Sequence, residues 1–273
     1  EIAVFADPDP DGIIATVLMV DYLKMLTNNV RIIFRERETG HGINIEDVDE
    51  NIDLLIIVDS SSSEFETVNK LSKDMAIIIF DHHNIEKSDK ELNAILVNPR
   101  QEGCQYPNKN LSGSGVVFKF IELIDYHYKK VNVNHYLDLV ATSLLSDQMD
   151  MSESSLENRF FVKRGLSKVH NLGLLALLHV TRNHNKKLDA TIMGFDIIPV
   201  LNTATRNNEM KKAFALLFER DFFKAKRMAS VLVKDNKKRK EKVKNLFAKY
   251  DSIKQDEKFI YITTPEVTKS YND

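Results

Sequence analysis

The stretch Ile2-Ala3-Val4-Phe5-Ala6-Asp7-Pro8-Asp9-Pro10-Asp11-Gly12 decides how this chain is read. Its first five residues are apolar and too few for an independent helix, which predicts a buried strand. Two prolines hold the next residues extended, and a helical pattern over 12–26 follows. Four more short runs rich in Ile and Val, at 30–34, 54–58, 76–80 and 94–97, repeat the strand signal. Between them, 63–71 reads as a helix that opens on a serine-rich cap with Glu64 and Glu66 in its first turn. Strand and helix in alternation predict an α/β fold, a doubly wound parallel sheet of about five strands.

After Asn110 the strands run out. Apolar positions at three- and four-residue spacing predict helices over 115–129, 135–145, 156–169 and 172–179, a helical second half. A stretch over 219–252, charged and free of Gly and Pro, suits a long connecting helix between domains better than a core helix. Residues 259–262 restart a strand pattern.

Composition narrows the possibilities. At 273 residues the chain can bury one large core or two smaller ones. With 38 basic and 40 acidic residues its net charge is −2, so any nucleic-acid surface must be local. The single cysteine, Cys104, has no internal partner and suits a reducing compartment, hence a cytoplasmic protein. No stretch is apolar for long enough to cross a bilayer, and the start shows no signal sequence. It opens on a strand pattern without Met, so a natural N-terminus further upstream is expected.

Four places carry chemistry. Asp7, Asp9 and Asp11 alternate along an extended segment at a strand end, and such crowding of carboxylates requires a cation. A polar turn with a helix cap accounts for one aspartate but not for three. A calcium loop counted from Asp7 places Gly12 correctly but puts Leu18 where the coordinating Glu belongs. Asp59 closes the run 54–58 and precedes four serines; alone it reads as a helix cap. Asp81-His82-His83 follows the run 76–80 and offers a neutral imidazole for a metal, a second imidazole for a phosphate, and Asp81 to orient its neighbour. Alone, the histidine pair reads as an exposed turn. Asp147, in Ser146-Asp147-Gln148-Met149-Asp150, reads alone as a helix-end loop.

In this order the four places resemble the DHH phosphoesterase superfamily, whose name matches Asp81-His82-His83. Further stretches are similar to its RecJ group of single-strand-specific exonucleases: Asp7-Pro8-Asp9-Pro10-Asp11-Gly12, the glycine-rich Leu111-Ser112-Gly113-Ser114-Gly115, Glu157-Asn158-Arg159 with Val162-Lys163-Arg164-Gly165-Leu166, and Asn202-Thr203-Ala204-Thr205-Arg206. The resemblance spans roughly 2–250, and the combination is more specific than any one motif. There are departures. Phe5 stands where many members have His, and Thr205 stands where the signature has Gly, a residue that permits positive φ. After Asp147 the usual apolar continuation is the more polar Gln148-Met149-Asp150.

The resemblance implies that Asp7, Asp9, Asp11, Asp59, His82 and Asp147 hold two divalent cations, with Asp59 the bridge. Mixed carboxylate and imidazole donors favour Mn²⁺ over Mg²⁺. It gives Asp81 and His83 catalytic roles, His83 at the scissile phosphate, and makes Arg206 a second phosphate clamp, with a structural ion pair as the equal alternative. It places Ser112, Gly113, Arg159 and Arg206 at nucleic acid. Residues 1–218 become the catalytic domain, 219–252 the connector, and 253–273 the start of a following DHHA1-like domain. The implied activity is hydrolysis of single-stranded DNA from 5′ to 3′, releasing mononucleotides, in DNA repair, recombination or replication. Single-strand-binding or replication and repair proteins are the implied partners, with no membrane.

The run Lys234-Asp235-Asn236-Lys237-Lys238-Arg239-Lys240-Glu241-Lys242-Val243-Lys244 carries a net +5, and Lys237, Lys238 and Arg239 become candidate DNA contacts, although such runs are usually solvated helix faces. Two other readings stay open: a DHH phosphodiesterase for short oligoribonucleotides or cyclic dinucleotides, and a non-catalytic replication scaffold. The histidines at 41, 127, 135, 170, 179 and 184 show no metal-ligand spacing and read as surface or helix residues.

Overall fold

The computed structural model describes residues 1–35, 42–49 and 51–250. His41, the strand expected at 259–262 and the domain expected from 253 lie outside the described residues. Five strands, β1 (Ile2–Ala6), β2 (Val30–Phe34), β3 (Leu54–Val58), β4 (Ala76–Phe80) and β5 (Ile95–Val97), form one sheet in the order β2-β1-β3-β4-β5. All pairs are parallel. Helices α1 (Pro10–Leu23) and α2 (Phe65–Leu71) interleave with the strands. They are followed by α3 (Gly113–Tyr128), α4 (Leu137–Ser146), α5 (Leu156–Ser167) and α6 (Leu172–Val180). After these come α7 (Ala190–Ile192), α8 (Ile198–Arg206), α9 (Met210–Phe218) and α10 (Phe222–Tyr250). A π-helical turn, Met193–Ile197, joins α7 to α8. This is the expected α/β sheet with a helical second half.

Both faces of the sheet are buried, which explains why its strands are continuously apolar rather than alternating. Val4, Ala6, Ile56 and Val58 face a large core shared with the helical half. Ala3, Phe5, Leu55 and Ile57 face a smaller core with Val68 and Leu71 of α2. Helix α1 is buried along nearly its whole length, packed against the sheet, α3 and α9. Each of its buried Ile, Leu, Val and Met side chains contributes on the order of 1.5–3 kcal/mol.

Two expectations need correction. The serines after Asp59 do not cap α2, whose first residue follows Glu64 with no side-chain cap. Their hydroxyls tie loops together instead: Ser61 Oγ accepts from Ile43 N, Ser62 Oγ from Asn98 Nδ2, and Ser63 Oγ from Glu86 N. The helix expected at 219–252 is also more than a connector. Ala225, Ala229, Leu232 and Val233 of α10 are buried in the main core, and α10 packs on α6, α8 and α9. Lysine density hid those apolar positions in the sequence. Among the described residues no helix is long and apolar enough to cross a membrane.

Candidate metal centre

Register places the site. Ala6 pairs with Val58, Val58 with Phe80, and Phe80 with Val97, so four strands end level with one another. The residues that follow, Asp7, Asp59, Asp81 and Asn98, therefore stand along one carboxy-terminal rim, where open α/β sheets place ligands. Asp9 caps α1, its Oδ1 accepting from Gly12 N at 2.9 Å. Gly12 is required there, because a Cβ would lie 2.6 Å from the Asp7 carbonyl oxygen. Asp147 arrives from the far side, at the C-terminal end of α4.

Three overlapping groups of ligating atoms result, each within 4.8 Å: Asp7, Asp9 and Asp59; Asp59, His82 and His83; Asp11, His82 and Asp147. Asp59 and His82 each belong to two of them. His82 Nε2 lies 3.2 Å from Asp59 Oδ1, 3.4 Å from Asp147 Oδ2 and 3.8 Å from Asp11 Oδ2. Both Asp59 Oδ1 and His82 Nε2 are buried without a hydrogen-bond partner, which costs free energy unless something else satisfies them.

Electrostatics point the same way. Burial, reinforced by Asp11, Asp9, Asp7 and Asp147, drives Asp59 well above the ordinary carboxylate range. Burial together with Asp11 and Asp9 pushes Asp147 up to about 7. Burial also holds His82 below its usual value, leaving a neutral imidazole that is a competent ligand. Asp59 sits at φ 64°, in the left-handed region disfavoured for a residue with a Cβ, so the turn that aims its carboxylate is strained. Oxygen-rich donors with one imidazole, crowded at one rim, fit divalent cations.

Asp11 behaves differently from its neighbours. Its carboxylate accepts from Gly113 N at 2.6 Å, from Ser114 N at 2.9 Å and from Ser143 Oγ. It thus ties the start of α3 and the middle of α4 to the rim, keeping only part of its capacity for a cation. Ser112 and Gly113, expected at nucleic acid, are buried. Ser112 Oγ caps α3 by accepting from Gly115 N, and a Cβ on Gly113 would lie 2.3 Å from Asp59 Oδ1. Their role is to bring α3 against Asp59, and surface contact is corrected to packing.

Asp81 accepts from His82 N, His83 N, His83 Nδ1 and Ser62 N. Burial alone would raise its pKa, but the bonds from His83 and Ser62 outweigh it and hold the carboxylate ionised. In return Asp81 raises His83 to about 9, so the half-exposed imidazole is a cation at neutral pH. Asn98 clamps this turn, its Nδ2 donating to Ser62 Oγ at 2.9 Å and to the His83 carbonyl at 3.0 Å. Sequence reading missed Asn98, although the same strand-end rule that drew attention to Asp59 applies to the residue after Val97.

Arg206 ends α8, half-buried, and Thr205 lies inside that helix with its hydroxyl on the Asn202 carbonyl, so no positive φ is needed there. Arg159 is exposed on α5, while Lys237 and Lys238 are exposed on α10 and Arg239 is half-buried there. Of the other histidines, His135 stacks on His170 at 4.1 Å and His179 on His184 at 4.0 Å.

The family model for the DHH family, N-terminal domain, matches residues 1–144. The chain is 34% identical over 224 residues to YorK, an SPbeta prophage-derived protein of Bacillus subtilis provisionally named a single-strand DNA-specific exonuclease; the match covers 78% of this chain and 38% of YorK. It is 29% identical over 261 residues to the single-stranded-DNA-specific exonuclease RecJ of Haemophilus influenzae, covering 88% of this chain and 45% of that protein. The chain thus spans less than half the length of these curated relatives. A crystal structure of exonuclease RecJ bound to manganese shares the fold, with a TM-score of 0.78 at 24% identity over 91% of this chain and 64% of that one. A matched N-terminal domain, these relatives and the shared fold together place the chain in the DHH family, as a member of the RecJ type.

Proposed function

We propose that this chain is the catalytic part of a metal-dependent phosphodiesterase that degrades single-stranded DNA from its 5′ end and releases mononucleotides. The observation that carries the reading is the pair of buried, unsatisfied donors, Asp59 Oδ1 and His82 Nε2, surrounded by Asp7, Asp9, Asp11 and Asp147 and adjoining a cationic His83. The similar proteins supply the substrate class, and the manganese-bound structure supports a divalent cation, for which the mixed carboxylate and imidazole donors favour Mn²⁺.

Asp7, Asp9, Asp59, His82 and Asp147 would hold the divalent cations, with Asp59 and His82 each shared between two of the ligand groups. Cations held there would supply Lewis acidity and charge neutralisation to phosphodiester hydrolysis. The remaining roles belong to the protein. His83, protonated by virtue of Asp81, donates to a non-bridging oxygen of the scissile phosphate and offsets charge as it builds up. Asp81 and Asn98 keep the ring and backbone of His83 turned towards the rim. Asp11 holds α3 and α4 in place so that Asp59 and Asp147 converge. Arg206 is a further phosphate clamp.

Digestion of 5′-labelled and 3′-labelled single strands, DNA and RNA, with and without Mn²⁺, tests substrate, direction and metal at once. The expected result is labelled mononucleotide from 5′-labelled DNA from the earliest times, with Mn²⁺ only. Product from 3′-labelled strands first, or turnover in chelator, would overturn the reading.

A further inference from the structure

Between Asn158 and Leu188 the sequence holds seven Lys or Arg and not one Asp or Glu, a net +7 within a chain of net −2. Unlike the lysine run on α10, where Asp235 pairs with Lys238, this stretch contains no acid of its own. Helix α5 carries much of it. Leu156, Phe160, Lys163, Arg164 and Ser167 fall at the spacing of a single helix face. That face is turned to solvent, with Leu156 62% and Phe160 57% exposed. Arg159 and Lys168 flank it, both exposed. Among the described residues none of Arg159, Lys163, Arg164 and Lys168 has an ion-pair partner.

The surroundings extend the positive field. Lys163 and Lys168 border a hollow of about 730 Å³ whose rim includes His184, Lys186 and Lys187. An adjoining hollow of about 290 Å³ shares Lys168 and adds Arg164, His135 and His170. The helix also has a direction. It starts beside the metal centre, where Asn158 Nδ2 donates to the carbonyls of Asn110 and Asp150, the latter three residues beyond Asp147. It ends against the opposite end of α4, where Gly165 abuts the Leu137 carbonyl. Twelve helical residues span about 18 Å, the length of a few nucleotides.

We infer that the outer face of α5 is a track for single-stranded nucleic acid leading away from the metal centre, with Phe160 stacking on a base and Arg159, Lys163, Arg164 and Lys168 holding phosphates. This rests on the nuclease reading and specifies how the trailing strand is held. An exposed aromatic ring between unpaired cations is the combination that binds single strands without reading sequence. An acidic peptide would use the charges but would have no need of the ring.

The test is fluorescence anisotropy of a labelled thirty-residue oligo-dT on the whole chain across a salt series, which requires no turnover and so stands apart from the nuclease reading. In the triple variant K163E/R164E/K168E, binding is expected to weaken at least tenfold at low salt, and the slope of log affinity against log salt to fall by about 2. In Phe160→Ala, binding is expected to fall about tenfold with the slope unchanged, and Phe160→Trp to restore it. Unaltered affinity and slope in the triple variant would overturn the inference. Equal competition by a poly-glutamate peptide would overturn it too, by showing a generic anion patch. All four positions are exposed, and an unchanged circular dichroism spectrum checks that the variants fold.

Discussion

Strands β3 and β4 are neighbours, each ends in an aspartate almost wholly removed from water, and the two aspartates have opposite fates. Asp59 is 2% exposed and Asp81 1%. Asp81 receives four hydrogen bonds and stays ionised despite burial. Asp59 faces four other carboxylates, leaves Oδ1 unpaired and is driven towards its protonated form. Buried charge is tolerated only when compensated. One strand end is compensated by the protein itself, and it uses that compensation to charge His83. The other is left uncompensated by the protein, and on the proposed reading a cation would supply what is missing. The difference separates a group that positions from a group that binds, even though both sit at equivalent places in the sheet.

Replacing Asp59 breaks the comparison most severely. Asp59→Ala is expected to lower nuclease activity by about a thousandfold or more, equivalent to about 4 kcal/mol of transition-state stabilisation. The metal-free variant should at the same time melt higher than the metal-free parent, because a repelled buried charge has gone. Loss of activity with lowered metal-free stability would mean that Asp59 is structural.

His83→Ala tests the other strand end. Removing a phosphate donor while sparing the ligands is expected to reduce turnover on the order of a hundredfold, with Mn²⁺ affinity nearly unchanged. A parallel loss of metal binding would move His83 into the ligand set.

Asp81→Asn sharpens the distinction through pH. With Asp81 present, His83 titrates at about 9. Its folded pKa is raised, so the stabilisation is complete below about 6.5, the unfolded value, and is lost as pH rises through about 9. Without the carboxylate the alkaline limb of the pH–rate profile should move down towards neutrality. An unmoved limb would show that Asp81 does not set the charge of His83.

The smallest effect concerns stability without metal. Asp59 and Asp147 have raised pKa values when folded, so the folded chain binds more protons than the unfolded chain between about pH 4 and 7. Stability of the chelator-treated protein should therefore fall as pH rises through that window, and Mn²⁺ should remove most of the slope. A melting temperature flat across the window in chelator would refute the crowding of charge.

Much of this was legible in the sequence for a physical reason. Parallel strands buried on both faces must be short and apolar, so β1, β3 and β4 stand out, and the polar residue after each must reach the rim. The motifs pointed to the other carboxylate and imidazole side chains that gather at the rim. What stayed hidden depends on contacts distant in sequence. That Asp11 would be taken up by the backbone of α3 follows from packing over a hundred residues apart. The buried stripe of α10 was masked by its lysines. The cationic face of α5 was visible all along as an acid-free stretch, but its charges are spread over α5 and the loops that follow α5 and α6, and only the fold gathers them.

Titration of the purified, chelator-stripped chain with Mn²⁺, read by calorimetry in parallel with Asp59→Asn, tests the central claim most directly. The account predicts two bound ions per chain for the parent and a loss of at least one in the variant. A parent that binds no Mn²⁺ at millimolar concentration, or a variant that binds two as tightly as the parent, would contradict it.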